Sequence, residues 1–153
     1  MNKLVIGLIT ALPIVAATGT PASAAPRDFV SGSGKFDSEL GVGQANFTGH
    51  GSATDANGVI RLRVPGTDER VRARVSCVAV DGNRAAISGT LTEPTESGST
   101  DVVLHVADNG RPRDTADTIG WAFSTGPIDC TTFLAGVENV VTRGNVVVKD
   151  RTP

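Results

Sequence analysis

Tyrosine is missing from this sequence, tryptophan occurs once, and aromatic side chains make up 4% of its 153 residues. Carbohydrate platforms and single-strand nucleic-acid grooves are built from exposed stacking rings. Both functions therefore fall to the bottom of the list. Trp121 alternates with Ile119 and Phe123, a period of two that places all three on one strand face and marks them as core. Histidine is almost as scarce. His50 sits between Gly49 and Gly51, and His105 follows Leu104 in a strand whose Val102, Leu104 and Val106 face inward. Neither belongs to an H-E-x-x-H helix, a paired-ligand spacing or a nucleophile elbow, so each reads as a surface or partly packed histidine, with His105 turned outward beside Val103.

No strong charge of either sign is present. Fourteen Lys and Arg face sixteen Asp and Glu, a net charge of −2, too weak to draw the whole protein toward nucleic acid or an anionic membrane. Nucleic acid is not an expected partner, and any polyanion site must be a local patch. Acidic turns at Asp55-Ala56-Asn57-Gly58 and Asp108-Asn109-Gly110, with Asp114 and Asp117 beyond, lack the alternating donors and terminal bidentate Glu of a calcium loop. Turn formation accounts for them. No metal or cofactor is expected, and no catalytic residues are assigned.

Long apolar runs are confined to the start. Lys3 precedes an apolar stretch from Leu4 to Ala17, broken by Pro13, and Ala22-Ser23-Ala24 supplies a small-x-small cleavage signal before Ala25. The run is too short for a durable membrane span, and no cysteine at the cleavage site carries a lipid. Residues 1–24 are thus predicted to be a signal peptide and residues 25–153 one secreted, extracellular domain without a transmembrane span. Processing would remove Lys3 and no acid, leaving the chain one unit more negative. Arg greatly outnumbers Lys and Ala, Gly, Val and Thr dominate, a bias typical of GC-rich bacterial genomes. In that setting the Asn46-Phe47-Thr48 sequon is incidental. Cys77 and Cys130 are the only cysteines. In an oxidising compartment an even pair is one disulfide, and neither a C-x-x-C spacing nor a histidine-rich ligand set competes.

Short antiparallel strands fill the rest. Val71, Ala73, Val75, Cys77 and Ala79 alternate with Arg70, Arg72, Arg74 and Ser76, which puts the cysteine on the apolar face. Asp81-Gly82-Asn83 is a turn, and Arg84 to Thr92 returns with Ala85, Ile87, Gly89 and Leu91 on one face. Strand patterns also cover Phe29 to Phe36, Gln44 to Gly51, Val59 to Val64, Asp101 to Asp108, Ile119 to Ser124 and Thr142 to Lys149. Phe133 to Val140 is a turn-like connection, and Thr92 to Thr100 and Asn109 to Thr118 are polar loops, mobile or partner-facing. The class is all-β, a single domain of about eight strands. A closed barrel is favoured over a two-sheet sandwich, because closure removes edges.

Arginine is the sharpest local signal. Arg61 and Arg63 alternate with Ile60, Leu62 and Val64, so with Pro65 to Glu69 as the connection, Arg61, Arg63, Arg70, Arg72 and Arg74 project from one outer face. A like-charge ladder costs stability. In the plainer reading, Asp68, Glu69, Glu93 and Asp101 interleave and make an ordinary solvated face; in the sharper one, the stripe receives an anionic cell-envelope polymer.

The stretch Val75-Ser76-Cys77, then Gly82-Asn83-Arg84-Ala85, then Ile87 and Gly89 resembles the central hairpin of a group of small secreted bacterial proteins, frequent in actinobacteria. Asp108-Asn109-Gly110, Asp129-Cys130 and Gly144-Asn145-Val146-Val147-Val148 are similar later landmarks. Where members often place Asp before an aromatic strand, this sequence has Asp117-Thr118-Ile119-Gly120-Trp121, a modest departure. These motifs specify turns and a disulfide. The resemblance implies a secreted β-protein of unassigned function and carries no catalytic residue across. The leading expectation is a non-enzymatic secreted barrel acting as a binding or envelope-associated module. The alternatives are a hydrolase assembled from distant residues and a small-ligand barrel, and a packed or hollow interior bears on the choice.

Overall fold

The computed structural model describes residues 27–110, 116–133 and 138–151. The signal segment, its cleavage site and Asp114 lie outside them. Eight strands follow in order: β1 (Asp28–Ser38), β2 (Gly41–Gly51), β3 (Ala56–Arg63), β4 (Arg70–Asp81), β5 (Arg84–Leu91), β6 (Asp101–Ala107), β7 (Thr118–Ser124) and β8 (Asn139–Lys149). A short 3₁₀ helix, Cys130–Phe133, precedes β8. Each strand pairs antiparallel with the next, and β8 returns to β1, closing a barrel. The all-β class, the strand count and the preference for a barrel are all borne out. Of the turn-like stretch, Phe133 ends the 3₁₀ helix, while Asn139 and Val140 already belong to β8.

Alternation builds the interior. In β3, Ile60 and Leu62 are buried between exposed Arg61 and Arg63; in β4, Val71 and Ala73 are buried between exposed Arg70, Arg72 and Arg74. Because a one-residue slip would turn the arginines inward, this pattern fixes the β3–β4 register. Eight strands enclose a space just wide enough for side chains to fill. The filling is thorough: beside Phe36, Phe47, Ile119 and Val146 only about 10 Å³ is left, room for about one water. Trp121 packs against this core and meets Phe36 with ring centroids 5.2 Å apart.

Two phenylalanines owe their seats to glycine. Phe47 lies directly across from Gly32, and Phe36 directly across from Gly43. A Cβ on Gly32 would come within 2.3 Å of the Phe47 ring, and one on Gly43 within 2.2 Å of Phe36. Each ring occupies the space that its cross-strand neighbour leaves empty.

The alternation predicted from Val71 to Ala79 does not run through. A β-bulge separates Val75, opposite Gly89, from Cys77, opposite Ser88, leaving Ser76 as the extra residue. Val71, Ala73, Val75 and Val78 join the interior, whereas Cys77 turns to the outside of the barrel. There it is buried with Ala86, Val103 and Cys130 in a second apolar cluster, with Ala79, Ala122 and Ile128 against it. Cys77 and Cys130 form a disulfide with Cα atoms 6.0 Å apart, and the Ser88 hydroxyl donates to Ile128 O at 2.7 Å. The segment around residues 128–130 thus lies over the outer faces of β4, β5 and β6. Every residue of β6 is buried, and this cover accounts for the outward-facing Val103. Small side chains at Ala79, Ala86 and Ala122 let the cover approach.

The β7–β8 seam is thin. Among the described residues, Thr118 with Val140 and Ile119 with Asn139 are the only ladder pairs across it, and Val141 N–H donates to Asp117 O at 2.8 Å. Beyond them, Val146 N–H donates to Asp117 Oδ2 at 2.7 Å and Val148 N–H to Asp108 Oδ2 at 3.2 Å. The other oxygens of these carboxylates accept from Asn109 N–H and Gly110 N–H, both at 3.1 Å. Charge-assisted bonds to backbone amides stand in for a missing ladder, which is the structural work of two acids noted in sequence beside glycine turns.

Candidate anion-binding face

The β3–β4 register sets Arg61 directly opposite Arg72 and Arg63 directly opposite Arg70, while Arg74 stands opposite Val59. Strand β2 extends both rows, with Asn46 beside Arg61 and Gln44 beside Arg63. The result is two parallel rows, each an amide followed by two guanidinium groups. Side chains are about 5 Å apart along a row, with about 7 Å between rows. Gln44, Asn46, Arg61, Arg63, Arg70 and Arg72 line a groove of about 410 Å³. Arg74 lies one row further, between Val59 and Thr90, and does not line it. Sequence reasoning placed all five arginines on one exposed face. The fold brings four of them together around one groove and leaves the fifth beside it.

Little offsets the like charges. Of the acids expected to interleave, Asp68 reaches Arg63 at 3.6 Å with a fully exposed side chain, a pairing that solvent screening leaves with little weight. Glu69 Oε1 accepts from Glu96 N–H at 3.0 Å. Asp101 is engaged by the hydroxyls of Thr90 and Thr100 at 3.1 and 2.8 Å. Among the described residues no carboxylate lies within 4.0 Å of Arg61, Arg70, Arg72 or Arg74. Each directly opposed pair costs about 1 kcal/mol or less in water. Two such pairs side by side are therefore a standing, modest cost of this face.

A second groove, of about 440 Å³, flanks β4 on its other side, and Glu69, Arg70, Arg72, Thr92, Glu93 and Glu96 line it. Its far wall belongs to the β5–β6 loop, which sequence reasoning treated as mobile or partner-facing. That loop is tied down: Thr92 N–H and its hydroxyl both donate to Arg72 O, at 2.8 and 3.1 Å. Thr95 and Ser99 are buried, with Ser99 N–H donating to the Thr95 hydroxyl oxygen at 2.9 Å.

The remaining candidates lie elsewhere. Asp55 pairs with Arg27 at 3.0 Å, and among the described residues no group of three or more His, Cys, Asp or Glu is placed to hold a metal ion. His50 is half-buried on the outer side of β2. His105 faces outward from the barrel as predicted, yet it is 5% exposed, on the outer face of β6 whose Val103 lies under the second apolar layer. The signal for that layer was present in the unbroken run Val102-Val103-Leu104 and the paired Ala85-Ala86, which read as burial on both strand faces. Burial holds the His105 pKa below its ordinary 6.5, with the nearby Glu138 carboxylate pulling the other way. Glu138 itself pairs with Arg84 at 3.1 Å and accepts from the Thr118 hydroxyl at 2.8 Å.

Because the unfolded chain takes up the His105 proton first, stability contributed by the neutral ring is complete above pH 6.5 and declines as pH falls below 6.5 through the lower folded value. Urea unfolding midpoints should therefore drop from pH 7.5 to about 5.5, and His105→Gln should flatten that drop. An equal slope in the variant would place the dependence on other groups.

No family model, no curated protein and no solved structure matches this chain.

Proposed function

We propose that this chain is an exported, non-enzymatic β-barrel that docks an anionic polymer of the cell envelope on the arginine face of β3 and β4. The observation that carries this reading is the pair of directly opposed arginine rungs lining one groove, with Asp68 their sole ion-pair partner among the described residues. The lattice of like charge becomes favourable once phosphates or carboxylates enter it. The disulfide suits an oxidising compartment, and among the described residues no helix is long and apolar enough to cross a membrane. With the interior filled by side chains, a partner docks on the outside.

Retention on an anionic cell-wall polymer or a heparin-like resin is the test. Four neutralised contacts should make log affinity fall with log salt at a slope of about −3, by the counterion-release rule established for nucleic acids. Replacing Arg61, Arg63, Arg70 and Arg72 together by Ser should abolish retention with the fold intact, since all four side chains are exposed. Arg74→Ser should matter less than any one of the four. Absence of retention at low salt, or its survival in the fourfold variant, sinks the reading.

A further inference from the structure

The arginine face has a border that a site for a plain polyanion would not carry. Arg70 and Arg72 form a ridge shared by both grooves, and across that ridge stand Glu69, Glu93 and Glu96. Asp68 pairs with Arg63 on the arginine side, whereas the three glutamates are grouped across the ridge of β4. Among the described residues no Lys or Arg side chain lies within 4.0 Å of the Glu93 or Glu96 carboxylate, and both residues are exposed. Their positions are held by the backbone: Glu96 N–H is bound by Glu69, and the loop start is bound to Arg72 O through Thr92. The loop backbone that carries the acidic wall is thus tied to Glu69 and to β4.

Resting on the anion-docking reading above, we propose that the partner is a zwitterionic polymer, with anionic groups along its chain for Arg61, Arg63, Arg70 and Arg72 and ammonium substituents for Glu93 and Glu96. A plain polyanion crossing β4 would meet repulsion at the acidic wall. An ammonium on each repeat turns that repulsion into attraction, because every exposed charge then faces its opposite. Segregation of sign across one ridge also sets direction: the chain lies across the strands, with its substituents toward the β5–β6 loop.

Two oligomers of equal length test this by titration calorimetry at low salt. One is plain poly(glycerol phosphate); the other is the same oligomer with glycyl esters on its free hydroxyls, which add ammonium groups. The ester should bind the protein about three- to tenfold more tightly, the combined effect expected of two exposed ion pairs. Replacing both acids, Glu93→Gln and Glu96→Gln, should reverse the order, tightening the plain oligomer and weakening the ester. Unchanged near-ultraviolet dichroism of Trp121 would show that this variant folds. The proposal is overturned if the plain oligomer binds the protein as tightly as the ester, if the double variant keeps the original ratio, or if neither oligomer binds. It is also overturned, in favour of a protein partner, if a peptide of alternating lysine and aspartate binds as tightly as the ester. Resin retention measured alongside separates the two failures: retention without ester preference defeats the zwitterion alone, and loss of retention defeats the anion reading itself.

Discussion

Replacing Cys77 and Cys130 together by alanine is expected to cost about 4 kcal/mol of stability, from the loop-closure entropy that the cross-link removes from the unfolded chain. The bond spans a sequence separation of 53 residues, long enough for the entropic term to be large. In a domain of this size the loss should lower the melting temperature by roughly 10–20 °C. A second contribution acts through the folded state. The disulfide ties the segment before β8 onto the outside of β4, where Cys130 is fully buried and Cys77 nearly so. Without it, that segment keeps the Ser88–Ile128 hydrogen bond and a small apolar cluster built largely from alanines. Thermal unfolding followed by Trp121 fluorescence, with and without reductant, checks both effects. A wild-type melting temperature insensitive to reductant, and equal to that of the double variant, would contradict them. A single Cys77→Ala change is the less informative variant, since it leaves the Cys130 thiol free to react.

Phe47→Ala is expected to cost about 3–5 kcal/mol, the range for emptying a large aromatic site in a core that cannot collapse. Phe47 is 2% exposed, and the partner facing it across the strand is Gly32, which has no side chain to swing into the hole. The reciprocal change, Gly32→Ala, should also destabilise, by about 1–3 kcal/mol, because the added methyl meets a rigid ring held by the barrel wall. The decisive quantity is the coupling. If ring and glycine share one volume, the double variant should be less destabilised than the sum of the two single changes. Urea unfolding of the three variants measures it. Strict additivity would show that the glycine is not the seat of the ring. The same logic applies to Phe36 and Gly43, where Trp121 adds a further contact.

Much of the candidate face was legible before any coordinates. Arginine alternating with Ile60 and Leu62, and again with Val71 and Ala73, places those guanidinium groups outside whenever the apolar residues go inside. Two details of the face were not legible. Which arginine faces which depends on the β3–β4 register, and whether the acids interleave depends on where the β5–β6 loop goes. Glu69 and Asp101 were available by composition to neutralise the stripe, but the Glu96 backbone N–H claims the first and the nearby Thr90 and Thr100 hydroxyls claim the second. The Glu69 contact, across the β4–β5 hairpin, has no signal in the local spacing.

The bulge at Ser76 shows the limit most clearly. Cys77 and Ala79 are small and apolar enough to suit either side of a strand, so a period of two can be drawn straight through them. A one-residue insertion reverses every side chain after it, and Val78 is as acceptable inside as Ala79. The sequence by itself therefore determined the strands, their hairpin turns, the all-β class, the cysteine pairing and the outward arginines, since each depends on side-chain period, turn chemistry or counting. Only the tertiary structure decided the phase shift in β4, the outer layer over Val103, the burial of His105, the return of β8 to β1 with its carboxylate-closed seam, and the grouping of glutamates across the ridge of β4. Each of these is settled by contacts between segments distant in the chain, where packing and hydrogen bonding choose among alternatives that local pattern leaves equal in energy.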